Sequence, residues 1–311
     1  MKVAITTSTF AKFSDEPLRL LAGRGLEAVM NPHGRALTED EAADFLRDCV
    51  GVAAGTEPLT ARVMDAAPGL RVISRCGVGM DNVDQEAAAT RGILVRNTPE
   101  GPTRAVVELT LGYALDLLRR VSVMDREVRE GLWKKHMGNL LQGKNLGIIG
   151  FGRIGRAVAD VFAFMGCRVS FYDPFVTSDQ DQFTRLEPAD LLAWADIVTL
   201  HCARPPDGSK VLDAAGIASM KPGAWLINAA RGGLVDEDAL CDALQNGRLS
   251  GAALDVFDRE PYSGPLAALP NVVLTPHIGS YARESRIQME IDTIRNLLDA
   301  LDQAASGEVT E

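Results

Sequence analysis

His277, Glu260 and Arg231 are the residues best suited to chemistry, because each follows a short apolar run that reads as a β-strand. His277 comes after Val272-Val273-Leu274-Thr275-Pro276, and Pro276 and Gly279 flank it, which suggests a fixed backbone presenting an imidazole. A nearby acid such as Glu260 would accept one ring N–H, fix the tautomer and favour the protonated ring. Arg231, after the apolar run 224–230, offers a planar fork that can take a carboxylate in two hydrogen bonds. A proton-transfer group, an acid that tunes it and a carboxylate holder could together act on a small anionic molecule. The alternatives are a hydrogen-bonded structural histidine and a surface ion pair. His201 ends the run 197–200, and Asp255 lies within Ala252-Ala253-Leu254-Asp255-Val256-Phe257. His33 and His136 sit in polar, turn-like sequence and read as surface residues. No HxxH, HExxH or clustered-carboxylate pattern competes for a metal.

A second source of chemistry is Gly150-Phe151-Gly152-Arg153-Ile154-Gly155, directly after Leu146-Gly147-Ile148-Ile149. Glycines at this spacing let a strand turn into a helix, let a pyrophosphate approach the backbone, and let the helix pack on the sheet. The anion would sit at a helix N-terminus, where free N–H groups and the dipole favour negative charge. A helical stretch over 156–165 follows and ends at Gly166. A strand over 168–172 then delivers Asp173, near the spacing of an acid that grips a ribose 2′-hydroxyl. The pattern predicts a dinucleotide site; the alternative is a purely structural tight turn.

These residues need a scaffold, and 311 residues allow two domains with real cores. Short apolar runs alternate with amphipathic ones throughout, which predicts α/β architecture with parallel sheets. Strands are expected over 3–6, 26–30, 50–54, 71–74 and 93–95 before the glycine turn, and over 168–172, 197–200, 224–228, 251–256 and 272–275 after it. Helices are expected over 38–49, where Thr38 and Glu41 form a capping box, over 188–194, and over 236–246, stopped by Gly247. A long apolar helix over 103–120 follows the polar break Asn97-Thr98-Pro99-Glu100-Gly101-Pro102, the expected domain crossing. A last helix over 282–301 closes the chain, and the final few residues are expected to fray.

The formal charge of −10 argues against nucleic acid or an anionic membrane as main partner. An anionic substrate would therefore need a local basic cluster. Cys49, Cys76, Cys167, Cys202 and Cys241 form no paired spacing and read as reduced residues of a cytoplasmic protein. The N-terminal Met1-Lys2-Val3-Ala4-Ile5 reads as a strand without the apolar core of a signal peptide, and no segment is long enough to span a bilayer.

Five stretches in order resemble the motifs of the D-isomer-specific 2-hydroxyacid dehydrogenase family, over nearly the whole chain. They are Ser74-Arg75-Cys76-Gly77-Val78-Gly79-Met80-Asp81-Asn82-Val83-Asp84, the glycine turn with Tyr172-Asp173-Pro174, Asn228-Ala229-Ala230-Arg231-Gly232-Gly233-Leu234-Val235-Asp236, Asp255-Val256-Phe257-Asp258-Arg259-Glu260-Pro261, and Thr275-Pro276-His277-Ile278-Gly279. Within the family the chain most resembles the phosphoglycerate dehydrogenase-like branch, in a short form without a regulatory domain. The resemblance implies two doubly wound parallel-sheet domains: a flavodoxin-like substrate domain over 1–98 plus 281–311, and an inserted Rossmann NAD-binding domain over 99–280.

It also implies a division of roles. His277 would be the acid–base group, Glu260 its tuner, and Arg231 the holder of the substrate carboxylate and polariser of the carbonyl. The amides of Gly77, Val78 and Gly79 would bind the other carboxylate oxygen, with Arg75 the candidate for a distal anion. NAD would be held by Gly150, Gly152, Arg153, Ile154, Gly155, Asp173, His201, Ala229, Arg231, Asp255, His277 and Gly279. Asp173 would favour NAD, because a carboxylate there repels the 2′-phosphate of NADP. Two departures from the family pattern stand out. Arg204, in Cys202-Ala203-Arg204-Pro205-Pro206, replaces a usual Pro-Leu and could alter cofactor contacts or face solvent. The arm after Trp133 is short, with Lys134 and Lys135 as candidates to reach across a dimer. The implied function is interconversion of a small D-2-hydroxy acid, foremost 3-phosphoglycerate, and its 2-oxo acid by a homodimer. The alternatives are hydroxypyruvate or glyoxylate reduction and, in a different class, an NAD-sensing co-repressor-like binding protein.

Overall fold

A computed structural model describes residues 1–306; residues 307–311, where the sequence predicts fraying, lie outside the described residues. In chain order the first elements are β1 (Lys2–Ile5), α1 (Glu16–Gly23), β2 (Glu27–Met30), α2 (Glu39–Leu46), β3 (Cys49–Ala54), α3 (Ala61–Ala66), β4 (Val72–Arg75), α4 (Gln85–Thr90) and β5 (Leu94–Asn97). Next come α5 (Thr103–Arg119), α6 (Val121–Arg129), β6 (Asn145–Ile149), α7 (Arg153–Phe164), β7 (Arg168–Tyr172), β8 (Thr184–Arg185), α8 (Pro188–Trp194) and β9 (Ile197–Leu200). The chain finishes with α9 (Ala214–Ser219), β10 (Trp225–Asn228), α10 (Glu237–Gln245), β11 (Gly251–Leu254), a short 3₁₀ turn at Pro265–Ala268, β12 (Val272–Leu274) and α11 (Arg283–Ser306).

Two compact units result, one from Met1–Pro102 and the chain from Ser280 onward, the other from Thr103–Gly279. The first crossing follows Pro102, four residues later than the sequence suggests, for reasons visible in the first unit. Thr98 is 2% exposed and exchanges two hydrogen bonds with Gly77, one from each backbone N–H. A side chain on Gly101 would meet Met289 of α11 at 2.2 Å, so that segment also packs within the first unit.

The first unit holds a parallel five-stranded sheet in the order β2-β1-β3-β4-β5, the flavodoxin-like order expected. Such strands are covered on both faces, which is why Val3, Ala4 and Ile5 are all fully buried and the sequence shows apolar runs, not alternation. Ile294 and Leu297 of α11 are fully buried in this core; each such side chain contributes roughly 1.5–3 kcal/mol. The predicted capping box of α2 is present, Thr38 accepting from the Glu41 N–H and Glu41 from the Thr38 N–H.

The second unit holds seven parallel strands in the order β12-β11-β10-β9-β6-β7-β8. The order reverses between β6 and β9, so the crevice beyond their carboxyl ends is the expected ligand position. The structure departs from the sequence pattern at several places, β8 and the earlier end of α2 at Leu46 among them. The strand read over 251–256 ends at Leu254, because the chain then turns so that Asp255 can serve the 275–279 turn. Helix α6 is an addition: it carries no buried residue, so its apolar positions point to no core of this unit. The last helix runs past 301 to Ser306, no breaker interrupting it.

Candidate active site

The three glycines of the turn differ in surroundings as their roles require. Gly150 has φ +96°, and a Cβ there would lie 2.6 Å from the backbone of His201 and Cys202, so a tight turn and a close neighbour both demand glycine. A Cβ on Gly155 would meet the Gly150 carbonyl oxygen at 2.1 Å, which is the close helix packing expected of the third glycine. Gly152 has open space where its side chain would be, and no side chain caps α7 at this residue. The exposed helix N-terminus and the bare second glycine fit a dinucleotide pyrophosphate. Arg153 is exposed and Ile154 half-buried in the first turn of α7. Asp173, at the end of β7, accepts the Phe151 N–H at 2.7 Å and the Phe175 N–H at 2.8 Å, tying the turn to the residue expected to read the ribose.

At the other strand ends, Glu260 Oε2 lies 3.0 Å from His277 Nδ1. That leaves Nε2 as the ring atom for proton transfer. Glu260 Oε1 also accepts the Phe257 N–H at 3.2 Å, which orients the carboxylate. Burial pushes the Glu260 carboxyl up, but the hydrogen bond and charge of His277, the Phe257 N–H and the charge of Arg204 outweigh it and hold it below its usual range. Both side chains keep access to solvent, 49% for His277 and 39% for Glu260.

His277 adopts φ +54°, a conformation that non-glycine residues seldom hold without support. The sequence credits Pro276 and Gly279 with fixing this backbone. The structure adds Asp255, fully buried, whose carboxylate accepts the Ile278 N–H at 2.8 Å and the Gly279 N–H at 2.7 Å, while its carbonyl accepts the His277 N–H at 2.9 Å. Thr275 Oγ1 donates to the same carboxylate at 2.5 Å, and the Tyr113 hydroxyl bonds Thr275. Burial pushes the Tyr113 phenol up, keeping it a donor. The sequence does not single out Thr275 or Tyr113; neither stands in a position that pattern alone marks.

Arg231 is half-buried on the loop after β10, with Nη1 donating to the Ala230 carbonyl at 2.7 Å. Asn228 shapes that loop, its amide donating to the Arg231 carbonyl at 2.9 Å and accepting the Ala230 N–H at 3.1 Å. A Cβ on Gly232 would lie 1.7 Å from the Phe257 carbonyl, so glycine lets the arginine loop and the Glu260 loop meet. Ala229, 7% exposed, precedes this loop as core. His201 accompanies Gly150 through its backbone; its Nε2 is 2.9 Å from Thr199 Oγ1, and burial pulls the ring down to about 3 and keeps it neutral. Arg204 does not simply face solvent, since its Nε donates to the Gly232 carbonyl at 2.5 Å. His136 stays partly at the surface, its side chain 25% exposed, with Nε2 2.7 Å from Glu127.

In the first unit, Arg75 folds back so that Nη1 donates to the Cys76 carbonyl, across Gly77. The Gly77 amide is committed to Thr98 Oγ1 at 2.8 Å, a residue the sequence does not single out. Val78 and Gly79 keep half-exposed positions on this loop. Among the described residues no cluster of His, Cys, Asp or Glu could hold a metal ion, and no helix is long and apolar enough to cross a membrane.

A bare glycine turn at the reversal of a parallel sheet, with a His–Glu pair at its later strand ends, defines a dinucleotide-binding architecture. Residues 111–279 match the family described as D-isomer specific 2-hydroxyacid dehydrogenase, NAD binding domain. The solved structure of the TT0316 protein from Thermus thermophilus superposes with a TM-score of 0.90 and 41% identity, covering 97% of each chain. A glyoxylate reductase from Paecilomyes thermophila gives a TM-score of 0.88 at 26% identity, over 100% of this chain and 97% of that one. The D-3-phosphoglycerate dehydrogenase of Synechocystis sp. is 37% identical over 273 residues, 85% of this chain and 49% of that protein. The chain spans about half the length of the curated relatives it matches. It belongs to the D-isomer specific 2-hydroxyacid dehydrogenase family, and its second unit is that family's NAD-binding domain.

Proposed function

We propose that this chain interconverts a small D-2-hydroxy acid and its 2-oxo acid, with 3-phosphoglycerate the foremost substrate. The observation that carries the reading is the 3.0 Å pair of Glu260 and His277 Nδ1 on a turn pinned by Asp255. Bound NAD supplies the hydride chemistry at C2. His277 Nε2 takes the hydroxyl proton in alcohol oxidation and returns it to the carbonyl oxygen in reduction. Glu260 stabilises the ring while it carries that proton. Arg231 holds the carboxylate in its fork and draws charge toward the carbonyl oxygen. Gly150, Gly152 and the N–H groups of Arg153 and Ile154 would hold the pyrophosphate, with Gly155 keeping the helix close to the turn, and Asp173 would take the ribose hydroxyls. On the first unit, Val78 and Gly79 are the proposed amide donors to substrate, with Arg75 for a distal anion.

The names of the curated relatives favour the phosphorylated acid. The likeness to a glyoxylate reductase favours glyoxylate or hydroxypyruvate as the second reading. An NADH assay across phosphorylated and unphosphorylated three-carbon 2-oxo acids, with glyoxylate, separates the two. Turnover of none of them overturns the enzyme reading and leaves the binding-protein alternative.

We further propose a homodimer formed through the second unit. Trp133 is 84%, Met137 94% and Leu140 70% exposed, an apolar run along one arm. The same unit has an open cavity of about 650 Å³ bordered by Leu117, Trp225 and Leu269, by the polar Asp116 and Asn271, and by Met137 of the arm itself. Sedimentation of the wild type against Trp133→Glu tests this, a monomeric wild type overturning it. The five cysteines, all unpaired, suit a reducing, cytoplasmic setting.

A further inference from the structure

Glu260 stands in a run of four exposed residues, 258–261, between Phe257 and Tyr262. An exposed segment keeps many conformations open unless its ends are fixed, yet the carboxylate on this one lies 3.0 Å from His277 Nδ1. The two ends meet: the rings of Phe257 and Tyr262 stack, with centroids 4.3 Å apart and 24° between their planes. Phe257 is 6% exposed within the core of the second unit, and Tyr262 is half-buried against the same core. The Tyr262 hydroxyl accepts the Leu266 N–H at 3.1 Å, and a side chain on Gly264 would run into that phenol, so the glycine leaves its place open. Tyr262 is therefore where the chain returns to the core after carrying Glu260 into solvent.

Phe257 links this ring to the chemistry. Its N–H donates to Glu260 Oε1 at 3.2 Å, while Oε2 faces His277 Nδ1. The part of the loop before Glu260 has further anchors. The Asp258 N–H donates to Glu237 at 2.7 Å, and Lys210 pairs with the Asp258 carboxylate at 2.7 Å. After Glu260, the first side chain to enter the core is that of Tyr262. Stacked aromatic rings prefer a definite offset and tilt. The Tyr262 ring thus fixes both the place of Phe257 and the direction in which the chain leaves Glu260.

We propose that Tyr262 is a positioning residue that, by stacking on Phe257, aims the Glu260 carboxylate at His277. The inference rests on reading His277 as the acid–base group and Glu260 as its partner. With the stack in place, one carboxylate oxygen is committed to the Phe257 N–H and the other to the imidazole. Without it the carboxylate is free to swing into solvent, and the ring loses the partner that selects its tautomer. A displacement of about 1 Å at a reacting group can cost on the order of a hundredfold in rate, and a displaced partner of that group costs less, about tenfold.

The test is a double-mutant cycle on kcat, with the 2-oxo acid that the wild type reduces fastest. Tyr262→Ala should lower kcat about tenfold and leave NADH affinity within about twofold of wild type. Tyr262→Phe keeps the stack, loses only the bond to Leu266, and should return kcat to within about twofold of wild type. In a Glu260→Gln background, Tyr262→Ala should cost less than about twofold, because the group it positions is already gone. Full multiplication of the two losses would mean that the ring only packs, and overturns the proposal. Tyr262→Leu, which keeps apolar bulk without a ring face, runs the same cycle should Tyr262→Ala not fold. A crystal structure of the same variant reads the geometry without turnover. Glu260 should have left His277 Nδ1, and a carboxylate still within hydrogen-bond distance of it overturns the proposal. Should the wild type reduce none of the 2-oxo acids, the functional reading fails, and this structure still decides the role of Tyr262.

Discussion

The carboxylate of Asp255 holds the amide of Gly279 at 2.7 Å, and with that of Ile278 at 2.8 Å it underpins the turn on which His277 stands. A histidine in left-handed backbone is costly, on the order of 1–3 kcal/mol, and persists where its surroundings over-determine it. Here the determinant is a buried anion with donors from Thr275 and two backbone amides, and Tyr113 on α5 closes the network from the side. The imidazole's position is thus fixed from a helix that begins the second unit to a strand near its end.

Asp255→Ala should therefore be among the most damaging substitutions in the second unit. It leaves a buried amide, a half-buried amide and a hydroxyl without their acceptor, and hydrogen bonds to a charged group are worth roughly 1.5–3 kcal/mol each. We expect a clear loss of thermal stability together with a fall in turnover of at least about a hundredfold. Asp255→Asn keeps one acceptor oxygen and should lose less of both. Thermal melts and steady-state kinetics on the two variants check this; equal melting temperatures for Asp255→Ala and wild type would refute it.

His277→Gln should separate binding from chemistry. The side chain stands on the surface of the site, 49% exposed, so its replacement costs the fold little. Removing a general acid–base group should lower kcat by about 10²–10⁴-fold, while NADH binding measured by fluorescence stays within a few-fold of wild type. A kcat preserved in this variant would show that another group moves the proton.

Glu260 gives a pH dependence with a defined sign. Its carboxyl is held below the usual range in the folded chain, so its pairing contributes fully at neutral pH and is lost as pH falls through that lowered value. Since 39% of the side chain is exposed, the stability term is small. The stability difference between wild type and Glu260→Gln, from urea melts, should shrink as pH drops below the ordinary carboxylate range. A difference that grows on acidification contradicts the pairing.

Much of this was legible in the sequence for one physical reason: parallel strands buried on both faces appear as apolar runs, and their carboxyl ends are where polar side chains are conspicuous. Arg231, Glu260 and His277 stand out on that ground, and the glycine turn stands out by spacing. Thr98, Tyr113 and Thr275 do not, because each acts by holding another residue and its partner is distant in sequence, as with Tyr113 and Asp255, 142 residues apart. Helix α6 escapes the pattern because it buries nothing in its own unit, leaving no periodic core face to read.

Asp173→Ala should act twice. The carboxylate accepts the Phe151 and Phe175 amides, so its loss loosens the glycine turn as well as removing the acid that would repel a 2′-phosphate. The kcat/KM ratio of NADH to NADPH should therefore fall, with NADH itself bound more weakly. An unaltered ratio would show that Asp173 has no part in cofactor choice.

The two later glycines of the turn predict opposite outcomes for the same substitution. A methyl on Gly155 would stand 2.1 Å from the Gly150 carbonyl oxygen, a backbone atom that cannot move aside without opening the turn. Gly155→Ala should therefore destabilise the second unit by about 1–3 kcal/mol and weaken NADH binding as a consequence. A methyl on Gly152 meets nothing within 4 Å, and φ there is −76°, which alanine adopts without strain. Gly152→Ala should melt with the wild type and yet bind NADH at least about tenfold more weakly, because the added methyl occupies the approach of the pyrophosphate. Calorimetric melts and NADH titration of both variants check the contrast. Equal NADH affinity for Gly152→Ala and wild type would mean that the pyrophosphate does not pass over this residue.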